Sequence, residues 1–192
     1  MKGKATLRLD FSAPHTAPNL FYRAHTLLGE RTPIHADCGC LCGGACCKGG
    51  PSEGMLLFPG EEDFYQKLCA LRPDAADGFT FSGPGERRLL LCGGSCERAY
   101  RPLACRIFPL FPALYENGRV QVILDPRSVR VCPMAKTAAR LDRSFIRAVR
   151  RVGRLLAADS DCRAFLLEQT RELEELRRLI PMEKGWRPVR YR

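Results

Sequence analysis

The sequence predicts an α+β fold in which a small, irregular domain with short strands and hairpins is followed by a C-terminal antiparallel helical hairpin. Three observations lead to this prediction. The 192 residues include 11 cysteines, most of them in glycine-rich loops. Short apolar runs bounded by turn residues are typical of strands, and the residues after Pro133 keep helical spacing. We expect a metal-organised cysteine domain over residues 1–133 and a basic helical hairpin, packed on it, over residues 134–192.

The pattern of apolar and polar residues predicts little regular structure in the N-terminal quarter. Apolar and polar residues alternate from Ala5 to Phe11, which predicts a half-buried strand. Residues 12–37 carry three prolines and no clean period, so we expect a loop with one helical turn around Leu20–Leu28. Residues 37–54 hold six glycines and are predicted to be a loop without a regular element.

The central segment is predicted to alternate strands and one helix. Met55–Phe58 is a short apolar run typical of a strand, and a helix is expected from Glu61 to about Leu71, with acidic residues in its first turn. Residues 79–81 and 87–92 predict one hairpin. Residues 113–115 and 119–124 predict another around Asn117-Gly118, a strong turn signal.

Helical spacing continues to the end of the chain. One helix is predicted from Met134 to Leu156, and a second from Ser160, the expected N-cap, to Ile180. Because Pro181 cannot continue a helix, it is expected to end the second one. The two helices should form an antiparallel pair.

The cysteines favour metal or redox chemistry over disulfides. The first thirty residues lack the pattern of a secretory signal, and no run of eighteen apolar residues predicts a membrane span. We therefore expect the protein to be cytoplasmic. In the cytoplasm thiols stay reduced. Two arms, Cys42-Gly-Gly-Ala-Cys46 and Cys92-Gly-Gly-Ser-Cys96, echo each other, and glycine lets such arms bring their sulfurs together.

Two further stretches carry a family resemblance. Cys38-x3-Cys42-Gly-Gly-Ala-Cys46-Cys47 is followed by Leu57-Phe58-Pro59-Gly60-Glu61, and Cys92-x3-Cys96 is followed by Tyr-Arg-Pro-Leu-Ala-Cys-Arg-Ile-Phe-Pro at 100–109. Residues 37–133 thereby resemble the YkgJ-like cysteine-cluster family, described as zinc- or iron-chelating and by the pattern CxxCxxCC. The common family form has two residues between its second cysteine and the adjacent pair, whereas this chain has three.

The resemblance implies a set of eight metal ligands. Carried over residue by residue, these are Cys38, Cys42, Cys46, Cys47, Cys92, Cys96, Cys105 and Cys132. Flagellin lysine N-methylases look like relatives with a similar motif, which implies an iron–sulfur cluster. Four thiolates suit zinc as well as iron–sulfur clusters. Adjacent cysteines rarely point at one small tetrahedral ion, so an iron–sulfur cluster is favoured and zinc stays open.

Other residues near the motifs receive separate interpretations. Arg101 and Arg106 are expected either to hold the surrounding structure together or to contact the metal ligands. Cys69 and Cys162 fall in helical patterns and are expected in the core, while Cys40 has no place in the family pattern. His35 is expected at the surface or in a cap, and Glu61 at the start of its helix or facing the site.

Basic residues suggest a partner. Lys and Arg total 31 against 21 Asp and Glu, which gives a net charge of +10. An arginine stripe, expected on one helix flank, could bind a protein or a polyanion such as nucleic acid or an anionic membrane surface. The alternative is a solvated helix face, partly neutralised by glutamates of the next helix. The stripe comprises Arg140, Arg143, Arg147, Arg150, Arg151 and Arg154.

Three functions remain open from the sequence. The first is a cytosolic metal-binding protein whose cysteines hold an iron–sulfur cluster or zinc. The second is an iron–sulfur protein lysine methylase or redox enzyme related to the flagellin methylases, although no cofactor-binding motif supports it. The third is a zinc-stabilised basic adaptor that binds nucleic acid. The sequence leaves enzymatic activity undecided.

Overall fold

The structure is a computed structural model that describes residues 17–48, 54–83, 89–94, 96–136, 141–179 and 190–191. Within these residues it is an α+β fold with two small antiparallel sheets and a C-terminal helical hairpin, as the sequence predicts. One apolar core runs through it, from Phe21 near the start to Leu173 near the end. The expected strand at Ala5–Phe11 lies outside the described residues.

The first helix, α1 (Ala17–Leu28), is longer than the sequence suggested. We expected a loop with one helical turn, and that prediction is wrong. Phe21, Ala24 and Leu28 keep helical spacing and are almost completely buried, so tertiary packing supports the whole segment. This helix packs against two later helices, Glu61–Leu71 and Arg143–Leu156.

The prediction of no regular element in residues 37–54 is also wrong. A short helix, α2 (Cys38–Cys42), and a 3-10 turn, Ala45–Cys47, lie there. The helix begins because the side chain of Asp37 accepts a hydrogen bond from the Gly39 N–H at 3.0 Å. The loop is thus partly organised by its own backbone.

The first sheet lies beside the cysteine loops. Strand β1 (Met55–Leu56) is followed by α3 (Glu61–Leu71), and β2 (Phe79–Ser82) pairs antiparallel with β3 (Leu89–Cys92). The order β1-β3-β2 places β3 in the centre. The first hairpin and the helix are therefore confirmed, and Cys92 ends the central strand.

The second sheet supports the C-terminal helices. After α4 (Leu103–Ile107), β4 (Leu110–Leu114) pairs antiparallel with β5 (Val120–Leu124), and β6 (Arg190–Tyr191) adds to the other side of β5. The Asn-Gly hairpin is confirmed, although its first strand begins three residues earlier than the pattern indicated. Gly118 adopts a φ of 76° in the turn, a conformation that glycine tolerates best.

The C-terminal helices differ from the prediction at two points. In place of one helix from Met134 to Leu156, the structure has α5 (Ser128–Val131), α6 (Pro133–Lys136) and then α7 (Arg143–Leu156). Asp142 interrupts the predicted helix because it is extended and caps α7 through Phe145 N at 2.8 Å. Arg140 lies outside the described residues.

The last helix is α8 (Ser160–Leu179). The prediction that Ser160 is its N-cap is wrong by one residue. The side chain of Asp159 accepts the capping hydrogen bond from Cys162 N at 3.0 Å. Both α7 and α8 pack on β4. Thr170 of α8 joins the sheet directly, because its hydroxyl accepts a hydrogen bond from Leu114 N at 2.9 Å.

The contact between α7 and the second hairpin depends on a glycine. A Cβ atom at Gly153 would lie 2.5 Å from Pro112 Cβ and 2.9 Å from Val120 Cγ1. These distances are far below an ordinary van der Waals contact, so even a methyl group forces the helix away from the sheet.

We expect Gly153→Ala to lower the free energy of unfolding by about 1–3 kcal/mol, because overpacking outweighs the better helix propensity of alanine. Chemical denaturation measures this. Arg151→Ala, on the exposed side of the same helix, is the matched control and should change stability by less than about 0.5 kcal/mol. An unchanged Gly153→Ala variant would show that the helix and the hairpin are not closely packed.

Candidate metal centre

The first cysteine arm bends through two consecutive glycines. Gly43 and Gly44 have φ values of 61° and 65°, the left-handed region that side chains other than glycine rarely adopt. This double bend ends α2 after Cys42 and carries the chain into the 3-10 turn that holds Cys46 and Cys47. The Gly-Gly sequence is therefore a backbone requirement of the arm.

The second arm approaches the first closely. It leaves the end of β3 at Cys92, and the Gly93 N–H donates to the Gly78 carbonyl at 3.0 Å. Gly94 has a φ of 85°, and a Cβ atom there would lie 3.2 Å from the carbonyl oxygen of Cys47. The two arms thus meet at their backbones.

A third segment brings Cys105 to the same place. Cys105 lies on α4, whose start is held by α3. The buried carboxylate of Glu61 accepts hydrogen bonds from Leu103 N at 2.6 Å and Phe58 N at 3.2 Å. One turn later, the Tyr65 hydroxyl donates to the Tyr100 carbonyl at 2.6 Å. Glu61 is both a helix-start residue and a link to the thiol-bearing helix.

Five of the predicted ligands line one cavity of about 290 Å³. Apolar side chains, among them Met55 and Leu90, form part of its wall, and Lys48 and Arg101 bring positive charge to it. The five thiols at the cavity are those of Cys46, Cys47, Cys92, Cys96 and Cys105.

The other three predicted ligands form a second neighbourhood. Burial raises the pKa of Cys38, and the nearby thiols of Cys42 and Cys132 raise it further, while the guanidinium of Arg98 lowers it. None of these three cysteines lines the 290 Å³ cavity. The structure therefore divides the eight cysteines into groups of five and three.

The thiols share a cavity without converging on one point. Among the described residues, which include every cysteine, no group of three or more His, Cys, Asp or Glu side chains stands at the spacing that holds a metal ion. A metal would therefore require the thiol side chains to turn toward it.

Adjacent cysteines have opposite acid–base character. The thiol of Cys46 donates a hydrogen bond to the sulfur of Cys47 and, with help from Arg101, lowers the pKa of Cys47 to about 6. The same bond, together with burial, raises the pKa of Cys46. Cys47 is therefore the more readily deprotonated member of the pair, and the thiolate is the form that binds metals.

Two other cavity thiols, Cys96 and Cys105, hold their protons more tightly. Burial raises the pKa of Cys105, and the carboxylate of Glu61 adds to this effect. Burial also raises the pKa of Cys96, although a hydrogen bond with Arg101 lowers it in part. Because a metal ligand must be deprotonated, metal binding at these residues would release protons.

The two motif arginines have different surroundings. Arg101 lies at the cavity beside Cys96 and Cys47, as expected for a residue around the ligands. Arg106 instead reaches α1, where it lies 2.8 Å from His25 Nδ1 and bonds the Gly29 carbonyl. Its role is structural, since it fastens α4 to α1.

His25 was left unassigned by the sequence and is a buried partner in this contact. Burial, with the charge of Arg106, lowers its pKa to about 3, so the ring is neutral. The ring also stacks on Phe64 with centroids 5.1 Å apart. No motif signals this role, because the partner residues are distant in sequence.

The other singled-out residues lie away from the cavity. Cys162 is fully buried in the core and Cys69 packs against it, which confirms the expectation for both. Cys40 is exposed on α2. His35 is exposed, and its Nε2 lies 2.8 Å from Asp142 Oδ2, so it belongs to the surface near the start of α7.

Comparison with known proteins finds no matching family model, no matching curated protein and no matching solved structure. The resemblance to the YkgJ-like family therefore stays a prediction from the cysteine motifs. Within the described residues, no helix is long and apolar enough to cross a membrane.

Glu61 should make stability depend on pH. Burial raises its pKa from 4.5 to about 7, despite two backbone hydrogen bonds that lower it. Between these values the folded state binds more protons than the unfolded state. The contribution of Glu61 to the free energy of unfolding is therefore complete below pH 4.5. It is lost as the pH rises through 7, which lowers the free energy of unfolding by about 3 kcal/mol.

Urea unfolding of chelator-treated protein at several pH values between 4.5 and 7 measures this dependence. Glu61→Gln should flatten it and lower stability at pH 4.5, because an amide has a single acceptor oxygen for two backbone donors. Asp63→Asn, an exposed neighbour on α3, should keep the dependence. A Glu61→Gln variant with the original pH profile would assign the titration to another group.

Proposed function

We propose that the protein is a cytoplasmic metalloprotein that holds an iron–sulfur cluster through its cysteine loops. The observation that carries the proposal is the 290 Å³ cavity lined by five thiols. Four of these would serve as ligands, since four cysteines hold the common clusters. A cluster bound there supplies one-electron redox chemistry and fixes the glycine-rich arms.

The size of the cavity favours a cluster over zinc. Thiolates around one zinc ion lie about 2.3 Å from the metal, which places the sulfurs about 3.8 Å from one another. In a four-iron cluster each thiolate would bind a different iron, so the sulfurs would stay further apart. Five thiols around a cavity of about 290 Å³, with no three at the spacing for one ion among the described residues, agree better with the wider arrangement.

Charge around the thiols supports an anionic group. Arg101 and Lys48 line the cavity, and the Nε atom of Arg101 is buried without a hydrogen-bond partner among the described residues. A buried donor without an acceptor is costly. A cluster with four thiolates carries negative charge, which the side chains of Arg101 and Lys48 would offset.

The group of three thiols receives a separate role in the proposal. Cys38 lies near Cys42, Cys132 and Arg98, and the three cysteines would supply extra thiols next to the cluster. Cys42 also interacts electrostatically with Cys46 of the cavity group, so the two groups adjoin. This corresponds to one cluster with accessory cysteines and not to two equal four-thiolate sites.

The direct test is the metal and acid-labile sulfide content of protein purified without air, together with its visible spectrum. We expect iron with matching sulfide and broad visible absorption that disappears on oxidation or chelation. Zinc without sulfide would overturn the cluster proposal and leave a structural thiolate site. Absence of any stoichiometric metal would overturn both the cluster and the zinc site.

Single replacements test the cavity group. Cys105→Ser and Cys47→Ser should abolish stoichiometric metal and lower stability, because loss of a ligand destabilises a metal-organised domain. Cys69→Ser, half-buried and away from the cavity, should leave metal content and stability nearly unchanged.

A second control separates folding from ligation. Cys162 is fully buried and lies 3.6 Å from the Pro59 carbonyl, so Cys162→Ser should keep its metal even if stability falls. If Cys105→Ser retained full metal while Cys162→Ser lost it, the assignment of the cavity thiols as ligands would be wrong.

A further inference from the structure

Helix α7 presents a row of arginines to solvent. Arg143, Arg147, Arg150, Arg151 and Arg154 are separated by steps of one, three or four residues. At 3.6 residues per turn they fall within about 100° of the helix circumference. We call this set the arginine face. Four of its members are exposed and Arg150 is half-buried.

The arginine face points away from the core. The opposite side of α7 carries its apolar residues, of which Phe145, Val149, Val152 and Leu156 are completely buried. Packing against α1 and against strands β4 and β5 therefore fixes the direction of the face. The row is held on a rigid helix anchored in the core, and its charges do not depend on a flexible loop.

Four members of the arginine face have no neutralising partner among the residues that the structure describes. Helix α7 contains no Asp or Glu, and in the described part of the chain Arg143, Arg147, Arg151 and Arg154 have no ion pair or hydrogen bond. Like charges three and four residues apart repel on a helix. Arg143 also stands in the first turn, where the helix dipole disfavours a cation.

Helix α8 shows the contrasting case in the same chain. Its arginines are interspersed with acidic residues. Arg177 lies 2.8 Å from Glu174 of the same helix, and Arg171 lies 3.3 Å from Glu116. Arginines of α8 are thus paired with glutamates, whereas Arg143, Arg147, Arg151 and Arg154 of α7 have no such pair among the described residues.

We propose that the arginine face binds the phosphate backbone of a nucleic-acid duplex. All five cations are arginine, whose planar guanidinium binds phosphate through two hydrogen bonds. The eleven-residue step from Arg143 to Arg154 covers about 16 Å of helix. A duplex carries about one charge per 1.7 Å of its axis, so a row of this length meets several phosphates.

Other polyanions fit less well. A helix that binds a membrane surface inserts an apolar side, but every large apolar side chain of α7 is at least half-buried. Single-stranded nucleic acid is bound largely by stacking on aromatic rings. The one aromatic residue of α7, Phe145, is buried. Backbone contact with a duplex needs neither feature.

The test uses the full-length protein as purified and mixed-sequence DNA and RNA duplexes of about 20 base pairs. Fluorescence anisotropy across 50–200 mM salt measures the association constant. Its logarithm should fall with a slope of about −4 against the logarithm of the salt concentration. The DNA and RNA measurements distinguish which duplex is preferred. No binding to either duplex at 50 mM salt would overturn the proposal.

A charge-matched pair of variants locates the surface. Replacing Arg147, Arg151 and Arg154 together with Gln should weaken binding at least about tenfold and reduce the slope by about 3. Replacing Arg163, Arg171 and Arg178 of α8 with Gln removes the same charge from another exposed helix and should have a much smaller effect. Equal losses in both would mean attraction by net charge alone and would overturn the proposal.

Three further measurements concern the stability of the variant, the need for arginine and the selectivity of the face. The α7 triple variant should unfold at the same or a higher denaturant concentration, because it loses like-charge repulsion, so weaker binding cannot be attributed to unfolding. The triple Arg→Lys variant should keep the salt slope but bind more weakly. Equally tight binding to anionic phospholipid vesicles or polyglutamate would show that the face does not select duplexes, and would overturn the proposal.

Discussion

The carboxylate of Glu61 accepts hydrogen bonds from the backbone of Phe58, 3 residues before it, and of Leu103, 42 residues after it. It thereby joins the start of α3 to the start of α4. It is completely buried, so these bonds form away from water, where an unmade bond is costly. Tyr65 repeats the link one helical turn further on. Together they fix where α4 begins, and the position of Cys105 at the cavity follows from that.

The same constraint explains how glycine-rich arms can present thiols in an ordered way. Gly43, Gly44 and Gly94 supply positive φ values and a close approach of the two arms, yet they contribute no side chain to a core. The order comes from what surrounds them: the cap at Asp37, the central strand β3 and the fastened start of α4. The arms are therefore shaped by the fold that surrounds them.

Local signals in the sequence predicted the elements that depend on local chemistry. Asn117-Gly118 fixed the second hairpin, and Pro59-Gly60 with three acidic residues fixed the start of α3. The helical period continued through Asp142, so the break between α6 and α7 was not visible. Helix α1 was underestimated because its stability comes from packing against α3 and α7, which no local pattern reports.

The candidate site shows the same division. The motifs identified the eight cysteines and Arg101, because unusual residues at unusual spacing stand out in a sequence. They did not reveal that five thiols line one cavity while the other three lie outside it, since that depends on how distant loops meet. The partnership of Arg106 with His25, 81 residues apart, was equally hidden, as was the second hydrogen bond of Glu61.

The walls of the cavity have a consequence for the order of biosynthesis. Cys46 and Cys47 leave the ribosome roughly 60 residues before Cys105, and at about 5–20 residues per second this delay lasts from about 3 to 12 seconds. During that time the adjacent pair has neither its neighbouring wall nor the charge of Arg101 beside it. The nascent chain must therefore keep two neighbouring thiols reduced in solvent until its second half arrives to enclose them.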